Sequence, residues 1–563
     1  MSTSLRTIVV DLTPLLPGGE NGGAKVFILE LLSRLAEIAP QTQFILLTQA
    51  AAHEELAALD RPNMRRLITV DVPEIDRPRP RLLPVASFVL ARLPVRLKRV
   101  VSQLRYALNT MMRHSDSEEI NRRVAEPLLR TLRADLLFCP FTMPTYSEVG
   151  TPTICTIHDL QHKTYPEFFT EEDLAERDRI FNEACRRATA LAAVSEYSRD
   201  TAVSQGSLVP TRVRTIHHRI AGRILSMGVM DKEILSRLGL IPNRYLLYPA
   251  NFWKHKNHEM LLTAFGMACQ AGLAADIQLV CTGAPGARQE WLTRAAHAMN
   301  LAERVLFPGY LPNEELATLI ANCRGLVFPS LYEGFGLPVV EAMAAGVPVA
   351  CSNNTSLPEV AANAAILFDP RIPTQIAQAM LSLVEDEELR AFLIQAGLQR
   401  ASEFSDSQRM AREYWELFEV SAAGYQPSDR LSGVYPDGWA GPRIHVELAP
   451  AKKPQALTIE LFAPQWLPHA RVHIKSLQSF SRHESNQTLL GRGESNTLIL
   501  HFPVEGGVAD ICVTPSFVPA HSGFGKDTRD LSVLLRQCII ERGATDKVVL
   551  HTLSENILAA IQP

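Results

Sequence analysis

Two glutamates, Glu333 and Glu341, stand eight residues apart around a loop that contains Gly334 and Gly336. The loop runs into a predicted helix, and the free N–H groups of a helix start attract anions, above all phosphate. Because carboxylates repel phosphate, their natural partners are hydroxyl groups on either side of it. The pattern therefore predicts a nucleotide-sugar site, with an ordinary loop carrying two surface glutamates as the alternative.

Two short apolar runs position this loop. Gly325 to Pro329 and Val347 to Cys351 are typical of buried parallel strands. Between them, Pro338 suits a first helical position and Gly346 suits the residue after a helix, which predicts a helix from about Pro338 to Ala345. The two loop glycines would let the backbone approach a ligand closely.

The string GFGLPVVEAMAAGVPVACSNNTSLPEV resembles the E-x7-E signature of retaining, family 4 type glycosyltransferases, which have the GT-B fold. The resemblance implies that Glu333 contacts hydroxyls of the donor sugar and that Glu341 holds the ribose of the nucleotide. Backbone N–H groups at the helix start would meet the diphosphate. The donor-binding residues implied in this stretch are Glu333, Gly334, Phe335, Gly336, Leu337 and Glu341.

A second segment, ANFWKHKNHEMLLTAF, follows the predicted strand Tyr245 to Pro249 and resembles the part of the family that binds the donor diphosphate. Lys256 matches the lysine of that segment. The arginine that usually precedes it is absent, since residues 250–253 read ANFW, and Lys254 or His255 could replace it. Loss of a cation weakens stabilisation of the charge on a leaving diphosphate unless another group compensates.

The chain begins with a predicted strand, Thr7 to Leu12, a glycine-containing loop and a helix from Ala24 to Ile38. This unit is of the nucleotide-handling kind, but it lacks the G-x-G-x-x-G pattern, which disfavours a nicotinamide cofactor. The resemblance implies that the loop faces the donor diphosphate, with a bare tight turn as the alternative. The predicted donor-side residues outside the glutamate loop are Gly22, Gly23, Asn251, Lys254, Lys256, Gly283, Tyr310 and Leu311.

His158 and Asp159 directly follow the predicted strand Thr153 to Ile157. Polar residues at the carboxyl end of a parallel strand stand where open α/β sheets bind ligands. TIHDLQHKTYPEFF resembles the family stretch in which a histidine lies beside the donor sugar, so His158 joins Glu333 and Lys256 as a predicted catalytic residue. An isolated histidine is otherwise more often structural.

The acceptor side is assigned to Asp159 and Ser195, with His162 as a further weak candidate. Ser195 follows a predicted helix, Glu171 to Ala188, and begins a strand-to-helix turn whose polar residues line the acceptor side in the family. Helix capping is nevertheless the preferred explanation for Ser195.

Composition indicates a soluble protein of about three domains: 563 residues, a net charge of −4, 21% charged and 46% hydrophobic. Nucleic acid is not an expected partner. The nine cysteines form no C-x-x-C pair or Cys/His cluster, so neither a disulfide framework nor a zinc site is indicated. Neither a signal peptide nor an apolar run of transmembrane length is apparent, which favours the cytoplasm.

Nine basic residues fall between Arg77 and Arg113, with apolar residues interleaved and no acidic residue among them. Such a segment can lie on an anionic membrane surface, which would favour a lipid-linked acceptor. A packed helix with solvated arginines is an equal alternative. The segment has few aromatic residues, which argues against nucleic-acid binding.

From about residue 430 the alternation of strands and helices gives way to seven short alternating runs, which predict a β-sandwich. YPDGWAGPRIHVEL and PSFVPAHSGFGKDTRDLSVLL resemble small β-domains appended to bacterial glycosyltransferases. Trp439, Trp466 and Phe524 could form a sugar-stacking platform, although core packing is favoured. Contact with other biosynthetic subunits is equally open.

Together these features predict an α/β protein of the GT-B fold, with Rossmann-like acceptor and donor domains over 1–222 and 223–404, a crossover helix near 405–424 and a β-sandwich over 430–563. The predicted function is retaining transfer of a hexose from a nucleotide sugar, GDP-mannose first, to a glycan or lipid-linked acceptor in bacterial surface polysaccharide synthesis. The site would lie at the cytoplasmic face of the inner membrane. By resemblance, the leaving phosphate oxygen accepts the acceptor's proton, so no side-chain base, metal or other cofactor is expected.

Two alternatives stay open. One is a nucleotide-sugar epimerase or hydrolase of the same fold, and the other is a non-catalytic sugar-binding subunit in which the missing arginine reflects lost activity.

Overall fold

The computed structural model describes residues 5–17, 22–70, 128–223, 233–435, 437–467, 470–476, 487–514, 516, 531–543 and 546–553. These residues fall into two compact units: one holds those up to 70 together with 134–147 and 152–424, and the other holds 128–133, 148–151 and those from 425 onward. The basic segment from Arg77 to Arg113 and Phe524 lie outside the described residues. Within the described part of the chain, no helix is long and apolar enough to cross a membrane.

The described residues of the first unit up to 220, called here the N-lobe, contain a seven-stranded parallel sheet in the order β3-β2-β1-β4-β5-β6-β7. Its strands are β1 (Thr7–Asp11), β2 (Gln43–Gln49), β3 (Met64–Val70), β4 (Leu136–Cys139), β5 (Thr153–Ile157), β6 (Ala190–Ala193) and β7 (Val213–Thr215). Its longer helices are α1 (Gly22–Ile38), α2 (Glu171–Arg187) and α3 (Glu196–Gln205). Strands β4, β5 and β6 are buried along their whole length, as expected for a parallel sheet covered on both faces.

Residues 233–404, called here the C-lobe, contain a six-stranded parallel sheet in the order β10-β9-β8-β11-β12-β13. Its strands are β8 (Tyr245–Pro249), β9 (Gln278–Thr282), β10 (Val305–Gly309), β11 (Gly325–Phe328), β12 (Val349–Ser352) and β13 (Ala365–Phe368). Its helices are α4 (Glu233–Arg237), α5 (His258–Gln270), α6 (Ala287–Ala298), α7 (Asn313–Asn322), α8 (Leu337–Ala344), α9 (Leu357–Ala361), α10 (Pro373–Glu385) and α11 (Glu387–Ser402). The two parallel sheets confirm the predicted pair of Rossmann-like folds.

The last helix of this unit, α12 (Ser407–Ala423), packs against α1 of the N-lobe. The ring of Tyr414 lies 6.0 Å from that of Phe27 and 5.5 Å from that of Phe138, measured between centroids. Phe418 is also fully buried, and burying each such side chain contributes roughly 1.5–3 kcal/mol. One hydrophobic core consequently runs through both lobes.

The second unit is built from two antiparallel sheets in the orders β14-β15-β20-β17-β18 and β19-β16-β21-β22. The strands are β14 (Arg430–Val434), β15 (Ala440–Leu448), β16 (Gln455–Phe462), β17 (Ala470–Ser476), β18 (Gln487–Leu490), β19 (Ser495–Phe502), β20 (Gly507–Thr514), β21 (Leu534–Glu541) and β22 (Lys547–Thr552). Alternate residues of both sheets, such as Ile444 and Ile459, share one hydrophobic core. The predicted β-rich region is therefore confirmed.

Candidate active site

A cavity of about 1280 Å³ lies between the N-lobe and the C-lobe, where the carboxyl ends of their parallel strands face each other. This is the edge at which open α/β sheets bind ligands. Most of the predicted site residues line it: Gly22, Gly23, His158, Asp159, Asn251, Lys254, Lys256, Gly283, Tyr310, Leu311, Glu333, Gly334, Phe335, Gly336, Leu337 and Glu341. The structure thus brings together residues that lie more than 300 positions apart in the chain.

Helix α8 begins at the floor of this cavity without a side-chain cap. Gly336, at its N-cap, has a φ of +100°, and a Cβ there would lie 2.6 Å from Cδ2 of Leu357. Only glycine fits this turn without strain. The uncapped N–H groups and the positive end of the helix dipole make the start of α8 suitable for an anion.

Gly334 is required for a different reason from the one predicted. A Cβ on this residue would lie 1.8 Å from the carbonyl oxygen of His158, so the glycine permits contact between the two lobes rather than approach of a ligand. The carbonyl of Gly334 also accepts a hydrogen bond from the Ser198 hydroxyl at 3.3 Å. On the opposite wall, a Cβ on Gly23 would lie 2.9 Å from Cδ1 of Leu337.

Glu333 is paired with Lys256 in the cavity. The Lys256 ammonium lies 2.6 Å from Oε1 of Glu333, and the two side chains are only 14% and 11% exposed. The lysine backbone is held by the Tyr248 hydroxyl, which donates to the Lys256 carbonyl at 2.7 Å. Two of the three predicted catalytic residues are therefore in direct contact, and their opposite charges compensate each other.

Glu341 is paired with Arg223, which was not among the predicted site residues. The Nε of Arg223 donates to Oε1 of Glu341 at 2.6 Å, and the glutamate side chain is 2% exposed. Arg223 also reaches Oδ1 of Asn313 at 3.4 Å. It lies in a short turn between the lobes that carries no motif, so only its position in the fold identifies it.

His158 is held by one ring nitrogen. Its Nε2 lies 2.7 Å from the Pro140 carbonyl, and because a carbonyl can only accept, Nε2 carries the proton. Burial lowers the pKa of His158 below its usual value. The ring is thus neutral near pH 7, which leaves Nδ1 as a hydrogen-bond acceptor.

His255 cannot replace the missing arginine. The side-chain amide of Gln161 donates to Nδ1 of His255 at 3.0 Å, across the two lobes. Burial, with the charges of Lys256 and Arg177, lowers the pKa of His255 to about 2. Of the two predicted substitutes, Lys254 is the one with an exposed side chain.

The remaining donor-side residues occupy the loops after β8, β9 and β10. Oδ1 of Asn251 accepts from the Ala284 N–H at 2.8 Å, so it joins two loops. A Cβ on Gly283 would meet the Ala250 carbonyl at 2.6 Å. Tyr310 is 59% exposed at the mouth of the cavity.

Ser195, predicted on the acceptor side, is not among the residues that the structure brings to the cavity. Its side chain is fully buried, lies outside the cavity lining and caps α3 by accepting from the Ser198 N–H at 3.0 Å. The preferred capping explanation is confirmed. His162 is likewise absent from the lining and lies 3.0 Å from an oxygen of Asp178, whereas Asp159 is exposed in the cavity.

An ion pair between a buried lysine and an exposed glutamate on the N-lobe wall also went unpredicted. Lys25 is 8% exposed, and its ammonium lies 2.5 Å from Oε1 of Glu55; both residues line the cavity. In the described part of the chain, no group of three or more His, Cys, Asp and Glu side chains is placed to hold a metal ion.

In the β-rich unit, Trp439 and Trp466 lie 5.7 Å apart between ring centroids. Trp439 packs against a small cluster formed by Phe462, Leu534 and Leu553. This contact accords with the favoured core-packing interpretation for that residue.

Residues 234–400 match the family described as "Glycosyl transferases group 1". The O-antigen chain mannosyltransferase B of Escherichia coli is 29% identical over 253 residues, which cover 45% of this chain and 66% of the relative. The serotype-specific mannosyltransferase WbdA of the same species is 28% identical over 266 residues, covering 45% of this chain and 32% of the relative. The structure of Anabaena Alr3699/HepE in complex with UDP and glucose superposes with a TM-score of 0.51 at 17% identity, covering 74% of this chain and all of that one.

Proposed function

We propose that this chain, which carries a group 1 glycosyl transferase domain on a GT-B fold, is a retaining glycosyltransferase that moves a hexose from a nucleotide sugar to a glycan or lipid-linked acceptor. The observation that carries the proposal is the placement of Glu333 and Glu341 on either side of an uncapped helix start, each held by a cation. The acceptor class follows from the O-antigen role in the name of a relative.

The donor would lie across the start of α8. Its diphosphate would take the free N–H groups there, its ribose the Glu341 carboxylate and its hexose the Glu333 carboxylate. Because Lys256 already contacts Glu333, a bound diphosphate would draw the ammonium partly away from that carboxylate. Lys254 is the candidate for the second cation.

The bond between the anomeric carbon and the diphosphate oxygen would break as the acceptor oxygen bonds to that carbon from the same face. The acceptor's proton would pass to the departing phosphate oxygen, so no side-chain base takes part. Lys256 and the helix start would stabilise the negative charge that develops on the diphosphate. The neutral His158 would accept a hydrogen bond from the sugar or the acceptor through Nδ1.

GDP-mannose is the first candidate donor, since two similar proteins are named as mannosyltransferases. Transfer would serve surface polysaccharide synthesis at the cytoplasmic face of the inner membrane. A domain assignment of 1–222 and 223–404 for the lobes and 430–563 for the β-rich unit fits this proposal.

A thermal-shift screen against GDP, UDP, ADP, dTDP and their sugars tests the proposal. A ligand present at a hundredfold excess over its Kd stabilises the native state by about 2.7 kcal/mol. We expect one nucleotide to raise the Tm of the native protein and to act much more weakly on Glu341→Ala. The matched control is Glu315→Ala, whose carboxylate pairs with Arg237 outside the cavity.

A Tm shift with one nucleotide, followed by consumption of the corresponding nucleotide sugar only when acceptor is added, supports a transferase. Consumption without acceptor supports a hydrolase or epimerase. A folded protein that responds to none of the nucleotides contradicts the proposal.

A further inference from the structure

Trp253 is 51% exposed although it lines the cavity between the lobes. The loop that carries it is fixed, because the Leu331 N–H donates to the His255 carbonyl at 2.7 Å and Gln161 holds the His255 ring. The indole lies 5.6 Å from that ring, between centroids. An exposed indole on a fixed loop inside a concave site offers a preorganised apolar surface.

Arg177 borders the same part of the cavity from α2 of the N-lobe. Its neighbour Arg179 is bound by Glu176, whereas Arg177 has no carboxylate partner among the described residues and lies over the Phe169 ring, 4.7 Å from its centroid. Its charge contributes to the low pKa of His255, which places it near the loop of Trp253. This side of the cavity, called here the Trp253 flank, is formed by Trp253, Phe169 and Arg177. It combines aromatic rings with a guanidinium that has no carboxylate partner among the described residues.

This flank lies across the site from the expected position of the nucleotide base. Tyr310 follows β10, the edge strand of the C-lobe sheet, whereas Trp253 follows β8, and its loop is also bonded to the connection after β11. Two strand spacings, roughly 10 Å, separate β10 from β8. A donor with its base at Tyr310 and its hexose at Glu333 leaves the Trp253 flank uncovered.

The cavity is also larger than one ligand needs. Its volume of about 1280 Å³ exceeds the roughly 300–1,000 Å³ of ordinary small-molecule sites. A transferase must hold two substrates at once, and the second must approach the hexose.

We propose that Trp253, Phe169 and Arg177 form a subsite for the acceptor saccharide, with a pyranose ring stacked on the Trp253 indole and its oxygens bound by Arg177. The aliphatic face of a sugar ring packs on an aromatic plane, while its rim hydroxyls need polar partners. The proposal rests on the glycosyl transfer proposed above and names the residues that select the acceptor.

The test uses the full-length protein labelled with 5-fluorotryptophan, which gives one ¹⁹F resonance for each of its five tryptophans. With the nucleoside diphosphate chosen by the thermal-shift screen present, mannobiose, mannotriose and mannotetraose are titrated in turn. We expect the Trp253 resonance, identified by its loss in Trp253→Phe, to shift with saccharide. The resonance of Trp291, which is 46% exposed but outside the cavity, should not move.

In steady-state transfer, Trp253→Ala should raise the KM for the saccharide about tenfold and leave the KM for the donor unchanged. Arg177→Ala should act in the same direction. The controls Trp291→Ala and Arg179→Ala should change neither constant.

Binding of nucleotide without any saccharide-dependent change at Trp253 would overturn the subsite and leave the donor proposal standing. A Trp253 resonance that shifts with nucleotide but not with saccharide, together with a raised KM for the donor in Trp253→Ala, would also overturn the acceptor subsite. If no nucleotide binds, the proposed glycosyl transfer itself is contradicted.

Discussion

Removal of Arg223 should destabilise the first unit strongly, because its guanidinium is bound to a carboxylate that is 2% exposed. Breaking a buried ion pair by deleting one partner costs about 3–5 kcal/mol, since the remaining charge stays desolvated. Arg223 itself is 17% exposed, so we expect a loss near the lower end, about 3 kcal/mol. The first unit has more than 300 residues, and with an unfolding entropy of about 2.1 cal/mol/K per residue that loss lowers Tm by roughly 4 °C.

The assay is differential scanning calorimetry of Arg223→Ala beside Arg237→Ala. Arg237 pairs with Glu315 but is 56% exposed, and such pairs contribute only about 0–1 kcal/mol. The double variant Arg223→Met, Glu341→Gln should recover most of the lost Tm, because no unpaired charge remains buried. Nucleotide binding should stay weak in it, since the carboxylate for the ribose is gone.

Equal Tm losses for Arg223→Ala and Arg237→Ala would refute the reasoning. So would a double variant as unstable as the single one, since that would show that packing of the arginine, and not its charge, matters.

Glu333→Gln should bind the nucleoside diphosphate more tightly than the native protein, because Lys256 is freed from the Glu333 carboxylate. Isothermal titration calorimetry measures this affinity. The variant should nevertheless transfer hexose far more slowly, since the carboxylate proposed to hold the hexose is gone. Burial raises the pKa of Asp11 to about 6, so ionisation of this carboxyl progressively destabilises the N-lobe as pH rises above about 4. Asp11→Asn should therefore be more stable than the native protein at pH 7, by up to ~3 kcal/mol. In denaturant titrations at several pH values, the variant should lack the decline in stability. Burial disfavours the charged ring of His445, but its bonds to Asp510 and Glu447 together outweigh burial and raise its pKa. The β-rich unit should therefore lose stability as pH rises above about 6.5, and His445→Gln should not show this loss.

Each of these expectations has a contrary result. Weaker nucleotide binding by Glu333→Gln would show that its carboxylate assists the diphosphate site. A stability profile of Asp11→Asn that follows the native one from pH 4 to 7 would exclude a charge on that residue as the cause. A pH-dependent loss that persists in His445→Gln would have to come from another group.

Much of the fold was readable from local pattern. The strands Thr153–Ile157 and Tyr245–Pro249 have the predicted bounds, because short apolar runs between turn residues are typical of strands in covered parallel sheets. The helix of the glutamate loop begins at Leu337, one residue before the predicted start. The strand Met64–Val70 was missed, since its sequence MRRLITV carries charges on a partly exposed edge strand.

The parts that sequence could not supply depend on distant contacts. Nothing local in Gly334 shows that a side chain there would strike the carbonyl of His158, 176 positions away. The neutrality of His255 follows from burial by the other lobe. Arg223 has no motif and is recognised only by the carboxylate that it reaches.

The ion pairs of Glu341 and Glu333 differ in what ligand binding would require of them. Arg223 holds one oxygen of Glu341 from within the protein, so the other oxygen can accept a ribose hydroxyl while the pair stays intact. Lys256 and Glu333 are both needed by the donor, one by its diphosphate and the other by its hexose, so their bond must give way as the donor enters. Arg223 is therefore a positioning residue for a fixed carboxylate, whereas the Lys256 pair is exchanged for donor contacts. We therefore expect that neutralising Glu333 raises nucleotide affinity, whereas removing Arg223, which leaves the Glu341 carboxylate unheld, lowers it.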